Sequence, residues 1–230
     1  MQKSDPGSAK AIFTVSFFLL LMASCTQQNA EPVDMGYAYF PGEVGHWVVY
    51  DVDSVVYDDF TGQTHHYQYQ VKELTESIFI DQEGIERMRL ERYWRRQPDD
   101  QWLVKDVWQA RLLPSRLERT EENITYVKLA FPPGHNNSWN GNAYNTKDPL
   151  KYQYTGVHEP FQVEGHSFDS TLTVLQKELL TLISEDFRQE VYARNVGMVY
   201  RKHVELKKQV DGTIVKGVDY SYNISSFGKE

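Results

Sequence analysis

The chain has 230 residues, 40% of them hydrophobic and 13% aromatic, with a formal net charge of −8. That length supports one substantial core, and the acidic balance argues against nucleic acid or anionic headgroups, which reward clustered Lys and Arg. The single cysteine, Cys25, leaves no internal disulfide and no thiolate metal site open to the chain.

Residues 1–10, MQKSDPGSAK, are polar and carry Lys3 and Lys10 against Asp5. The uncharged run 11–24, AIFTVSFFLLLMAS, would span only about 21 Å as a helix, short of the ~30 Å hydrocarbon core. A basic start, a short apolar centre and small residues before a break read as a secretory signal. Met22-Ala23-Ser24-Cys25 resembles the lipobox of bacterial lipoproteins, with Met22 where Leu is usual. The resemblance implies cleavage between Ser24 and Cys25 and acylation of the Cys25 thiol by palmitate-type chains. More than one acyl chain is needed for firm anchoring, since each buried CH₂ contributes only ~0.8 kcal/mol. Residues 1–24 are therefore expected to be a signal peptide, and 25–36 a lipidated N-terminus with a polar tether. At up to ~3.5 Å per residue, that tether reaches almost 40 Å. Residues 37–230 are expected to form one antiparallel β domain.

Within that domain the hydrophobic period is two. In HWVVYDVDSVV, His46, Val48, Tyr50, Val52, Ser54 and Val56 share a face opposite Asp51 and Asp53. Tyr67, Tyr69 and Val71 alternate with His66, Gln68, Gln70 and Lys72. Met88, Leu90 and Trp94 oppose Arg87, Arg89 and Glu91, and Trp102, Val104 and Trp108 form the next apolar set. Phe168, Leu172 and Val174 follow, then Met198, Tyr200, Val204 and Leu206, then Val218, Tyr220, Tyr222 and Ile224. Alternation over 6–10 residues rich in Val, Tyr and Trp predicts half-buried antiparallel strands. Turn residues in DDFTGQ, DQEG, QPDD, PPGHNNSWNGN and DG separate them. About ten strands joined by short turns must curl, which predicts a curved sheet or half-barrel, with a β-sandwich as the alternative. For residues 184–195, SEDFRQEVYARN, helix and strand patterns fit equally.

Catalytic constellations are scarce. His65 and His66 are adjacent on a predicted strand and point to opposite faces, and HEPFQ at 158–162 has Gln162 where a second zinc-binding histidine would stand. There is no G-x-S-x-G, G-x-G-x-x-G or P-loop, and the acid pairs Asp58–Asp59, Asp99–Asp100 and Glu121–Glu122 lie in or beside turns. No catalytic residue, cofactor or metal site is therefore expected. Arg87, Arg89, Arg92, Arg95, Arg96, Arg111, Arg116 and Arg119 are interleaved with acids and read as a solvated charge ladder across neighbouring strands. The loop FPPGHNNSWNGNAYN at 131–145 places Trp139 and Tyr144 beside Asn140 and Asn142, a combination able to stack on and hydrogen-bond to sugars. In the competing reading, Trp139 turns inward and plugs one end of the sheet.

Four segments, 39–58, 131–145, 159–176 and 190–206, together with the lipobox, resemble a Bacteroidota-type family of envelope lipoproteins to which no established activity attaches. VYARNVGMVY is also similar to a turn-and-strand feature of LolA/LppX-like half-barrel lipoproteins, whose curved sheets hold acyl chains. Asp53-Ser54-Val55 and Asp169-Ser170-Thr171 fit the three-residue O-glycosylation pattern of such bacteria, which would modify Ser54 and Ser170. Three roles are therefore expected to compete. The first is a non-catalytic binding or structural domain, anchored through its lipid to the cell envelope at the outer membrane. The second is a carrier of a lipid or other hydrophobic ligand, and the third is a carbohydrate-binding module. The expected partners are the membrane and an envelope protein, lipid or glycan.

Overall fold

In the computed structural model, the period-two segments become twelve antiparallel strands. The structure describes Gln2 and residues 32–230, so nearly all of the segment expected to be a signal peptide, with Ser24 and Cys25, and most of the expected tether lie outside the described residues. Two compact units are distinguished, Met1–Val33 and Asp34–Glu230. Of the first, the described residues Gln2, Pro32 and Val33 are exposed. The second contains a 3-10 turn at Tyr37–Tyr39 and the strands β1 (His46–Tyr57), β2 (Thr64–Ile80), β3 (Glu86–Arg95), β4 (Leu103–Leu113), β5 (Arg116–Glu121) and β6 (Ile124–Ala130). After these come β7 (Ser138–Asn140), β8 (Lys151–Val163), β9 (His166–Leu180), β10 (Ser184–Ala193), β11 (Gly197–Lys208) and β12 (Ile214–Lys229).

All twelve strands belong to one sheet, in the order β6-β5-β4-β3-β2-β1-β12-β11-β10-β9-β8-β7. Neighbours in sequence are neighbours in space, except that β1 pairs with β12 and so joins the two halves of the meander. The outermost strands, β6 and β7, nearly meet. Val127 N donates to Gly141 O at 2.9 Å, and Asn145 Nδ2 donates to Thr125 O at 2.8 Å. The result is a nearly closed barrel, the limit to which a twisted sheet of this width curls. It extends the curved-sheet expectation and excludes the sandwich.

The inner face follows the predicted alternation. Tyr50 stands opposite Val71 on one side and Ile224 on the other, and Val52 lies between Tyr69 and Tyr222. Leu90, Leu117, Leu129, Leu172, Val174 and Ile224 are at most 1% exposed. The 3-10 turn closes one end of the barrel. Tyr39 is fully buried, and its hydroxyl meets His158 Nδ1 at 2.5 Å and Ser170 Oγ at 2.7 Å. Tyr37 donates to Pro114 O at 2.9 Å and sets its ring edge-on to Phe131.

Three local expectations change. The ambiguous segment 184–195 is strand over Ser184–Ala193, because its backbone is paired on both sides, by β9 and β11. Trp102, Val104 and Trp108 do not share a face: Trp102 precedes β4, Val104 is 71% exposed and Trp108 is buried. The β3–β4 register shifts between Arg92 and Tyr93, and an extra residue in one strand reverses the side from which its neighbours project. The arginine ladder also divides. Arg87 and Arg89 pair with acids that keep some solvent contact, and Arg111 and Arg116 meet at the buried Glu118, whereas Arg92 and Arg119 are 3% and 2% exposed inside the barrel.

One glycine is required by geometry. Gly217 has φ +134, and a Cβ there would fall 1.9 Å from the Glu205 carbonyl oxygen, so the β11–β12 hairpin tolerates no side chain at that position.

Candidate functional site

A barrel of this width is broader than aliphatic side chains alone fill, and its middle layer is made of long charged ones. The strand register puts these opposite one another. Glu73 of β2 faces Arg92 of β3, which faces Asp106 of β4. Glu190 of β10 faces Arg201 of β11. Arg92 forks onto both Asp106 oxygens at 2.9 and 3.0 Å, and Arg119 donates to Glu73. Glu121 lies 3.4 Å from Arg119, 3.4 Å from Lys128 and 3.5 Å from Arg201. Glu190 takes Lys128 at 2.6 Å and Arg201 at 2.5 Å, and accepts the Tyr192 hydroxyl at 2.6 Å. The Trp108 ring receives the Arg92 guanidinium at 3.5 Å and that of Arg119 at 4.5 Å, which supplies the aromatic contact a desolvated cation needs.

The layer's electrostatics follow from those distances. Burial by itself would raise the Glu121 carboxyl, but Lys128, Arg201 and Arg119 outweigh it and pull the pKa down to about 2. Glu190 behaves alike: burial opposes ionisation, and Arg201 with Lys128 holds the group well below the ordinary carboxylate range. Burial and the Arg188 guanidinium push His203 down to about 4 against the opposing pull of Glu205, so its imidazole is neutral at pH 7. Between this layer and solvent, β5, β6 and β8–β12 enclose a polar chamber of about 330 Å³.

A second, larger cavity of about 640 Å³ opens at the end opposite the 3-10 turn. It exists because β3 stops at Arg95, which pairs with Gln70, so that Thr64–Tyr69 of β2 has β1 as its one ladder partner. Tyr67, Tyr69 and Trp94 supply aromatic walls, Gln97 and Gln68 supply amides, the latter with its Nε2 donating to Asp53 at 2.9 Å, and Arg96 and Lys105 supply positive charge, Lys105 pairing with Asp106 at 2.9 Å. His66 completes the lining, which contains no carboxylate.

The residues singled out in the sequence do not converge. Trp139 turns inward at the β6–β7 seam: its Nε1 donates to Val127 O at 2.9 Å, and its ring packs against Tyr154 at 4.8 Å. Asn140 Oδ1 accepts from Asn142 N and Leu150 N, and Asn142 Nδ2 donates to Asp148 O at 2.6 Å, so both amides brace their own loop. Tyr144 is 49% exposed beneath the Arg116 guanidinium. Ser54 sits half-buried between Tyr67 and Tyr220 in the ladder, and the half-buried Ser170 is engaged by Tyr39. His65 stacks on Tyr67 while His66 Nε2 meets Asp53 at 2.8 Å on the other face. Among the described residues, no group of three or more His, Cys, Asp or Glu is placed to hold a metal ion. Nor is any described helix long and apolar enough to cross a membrane.

Neither cavity carries a local sequence motif. The ion layer did leave a signal, since Arg92 shares the parity of Met88, Leu90 and Trp94, and Glu73 that of Tyr69 and Val71. A charge in phase with an apolar stripe is either a register break or a buried ion, and here it is the ion.

Compared by sequence, the chain matches no known family model and no curated protein. Two solved structures are similar in fold. A Bacteroides fragilis protein described as exported, with a YmcC-like fold, has 10% identity and a TM-score of 0.45, covering 83% of this chain and 98% of its own. A Parabacteroides distasonis protein described as a lipoprotein has 11% identity and a TM-score of 0.41 over the same shares of the two chains. Neither likeness transfers a residue or an activity to this chain.

Proposed function

We propose that the protein is a cell-envelope lipoprotein, held at the outer membrane through acylated Cys25, whose barrel is a non-catalytic domain that binds glycan. The observation carrying the binding role is the 640 Å³ cleft, where Tyr67, Tyr69 and Trp94 stand beside Gln68 and Gln97 with no acid in the lining. Aromatic planes stack on the apolar C–H faces of a pyranose while amides pair with its hydroxyls, the chemistry first sought in the Trp139 loop. The anchor rests on the lipobox-like Met22-Ala23-Ser24-Cys25 and on the absence of any other cysteine. The competing role of acyl carrier needs a wide apolar lumen. The barrel interior instead holds packed side chains such as Tyr154, Leu172 and Tyr192 and, above them, the ion layer.

Bacterial envelope glycans printed on an array are expected to retain the wild-type domain, and Trp94→Ala is expected to weaken retention at least about tenfold, the loss of one stacking plane. No retention of wild type, or equal retention of the variant, overturns the binding role. The anchor is tested separately. Cys25→Ala is expected to abolish labelling of the protein by a palmitate analogue in growing cells, and labelling that persists refutes it.

A further inference from the structure

The polar chamber above the ion layer is independent of the cleft, and its wall is incompletely satisfied. Arg201 is 9% exposed and Gln176 is 7% exposed, yet among the described residues Arg201 Nε and Gln176 Nε2 are buried donors with no hydrogen-bond partner. Arg201 Nη2 lies 2.5 Å from Glu190 but is not aligned for a hydrogen bond with it. Among the described residues Glu121 Oε1 also accepts no hydrogen bond, although Arg119, Lys128 and Arg201 stand 3.4, 3.4 and 3.5 Å from it. A buried polar group left unmatched costs about 1–3 kcal/mol, and these three residues line one chamber with their unmatched atoms just behind its surface, so a polar occupant would satisfy them after small turns of the side chains.

The surrounding charge says which kind. The two deep carboxylates, Glu121 and Glu190, are faced by Arg119, Lys128 and Arg201. At the mouth, Lys147 donates to the Tyr126 hydroxyl at 2.9 Å, and among the described residues it pairs with no carboxylate. Arg188 is already engaged, on Asp186 at 2.9 Å and Glu205 at 2.8 Å, and Lys202 pairs with Asp219. The groups left over are therefore donors and positive charge, Lys147, Arg201 Nε and Gln176 Nε2, plus a single acceptor on Glu121. An anionic group satisfies the first set, and a hydroxyl satisfies the Glu121 oxygen.

We propose that this chamber binds a small hydroxylated carboxylic acid of the sugar-acid class, its carboxylate towards Lys147 and Arg201 and a hydroxyl towards Glu121. The volume of about 330 Å³ is at the lower end of small-molecule sites and suits a monosaccharide acid better than an oligomer. Part of the wall is fixed before the ligand arrives, because Glu190 is held by Tyr192, Lys128 and Arg201, and Arg188 by two acids, which limits the ordering that opposes binding.

The test titrates the purified lipoprotein in detergent with glucuronate, glucose and acetate, by calorimetry and by the melting-temperature shift. Glucuronate is expected to bind and raise the melting temperature, while glucose and acetate bind at least about tenfold more weakly. Lys147→Gln at the mouth and Gln176→Leu in the wall are each expected to fold as wild type and to lower glucuronate affinity about tenfold. In the Trp94→Ala background, where the cleft is disabled, glucuronate binding is expected to persist and to fall about tenfold on adding Lys147→Gln, which separates this site from the cleft. No glucuronate binding at about 10 mM, equal binding of glucose, or affinity undiminished in both chamber variants overturns the proposal. In the first case ordered water alone fills the chamber.

Discussion

Arg201→Met is expected to lower the unfolding free energy by about 3–5 kcal/mol, the cost of breaking a buried ion pair from one side. The guanidinium is buried against Glu190 at 2.5 Å and lies 3.5 Å from Glu121. Its removal strands two carboxylates that burial already disfavours, with Lys128 as the one cation in contact with both. The methionine fills part of the volume but neutralises nothing. Urea unfolding followed by tryptophan fluorescence reads the loss directly, and a change below about 1 kcal/mol would mean that the layer contributes no more than a surface pair. The internal control is Lys216→Ala. That lysine meets Asp59 at 2.9 Å with both side chains about half exposed, and its loss is expected to leave the unfolding midpoint where it was.

Stability is expected to fall in two stages on acidification. His203 has its pKa pushed from 6.5 to about 4 by burial and by Arg188, so between those values the unfolded chain binds a proton that the folded chain refuses. The stabilisation is complete above pH 6.5 and is lost as pH falls towards 4, on the order of 3 kcal/mol. Facing that imidazole are Arg188, Arg201, Glu205 and Asp186, with the Tyr220 ring stacked on it at 4.8 Å. The second stage belongs to Glu121 and Glu190. The Glu121 pKa is lowered from 4.5 to about 2, so its contribution is present above pH 4.5 and disappears as pH falls through 2. Glu190 acts in the same direction. His203→Gln is expected to abolish the upper stage and keep the lower one. A variant that retains the slope between pH 6.5 and 4 would show that another group carries it.

The ion layer has a physical reason beyond pairing. Twelve strands enclose more volume than Leu and Val of a sheet this broad can fill, and arginine and lysine stems bring apolar length to the centre with the charge at the far end. Arg92 and Arg119 on Trp108 show the arrangement: the stems pack, the planes stack, and the carboxylates of Glu73, Asp106 and Glu121 meet the charge. Such a layer also penalises register slips. Moving β3 by one residue would drive Arg92 outward and bring Glu91 or Tyr93 in, leaving Asp106 without its fork and Glu73 with Arg119 alone. The apolar alternation and the charge pairing thus specify the same register.

Much of this architecture is legible along the chain. The faces of Val48, Tyr50 and Val52, of Tyr69 and Val71, and of Tyr220, Tyr222 and Ile224 follow from side chains projecting alternately from an extended backbone, a rule that is local. The leader expected over residues 1–24, with the cysteine that follows it, rests on equally local patterns of charge, apolar length and small residues. Misplacement of Val104, and the undecided state of 184–195, arise where a bulge or flanking strands overrule the local pattern. Composition and period, by themselves, determined an all-β domain that must curl and the residues that face its interior. The tertiary structure decided the rest: closure at the β6–β7 seam, Trp139 packed inside it, the cleft left where β3 ends short of β2, and a chamber bounded by Lys147, Gln176 and Arg201. Those features depend on residues far apart in sequence meeting across strands, and no local rule of alternation carries that information.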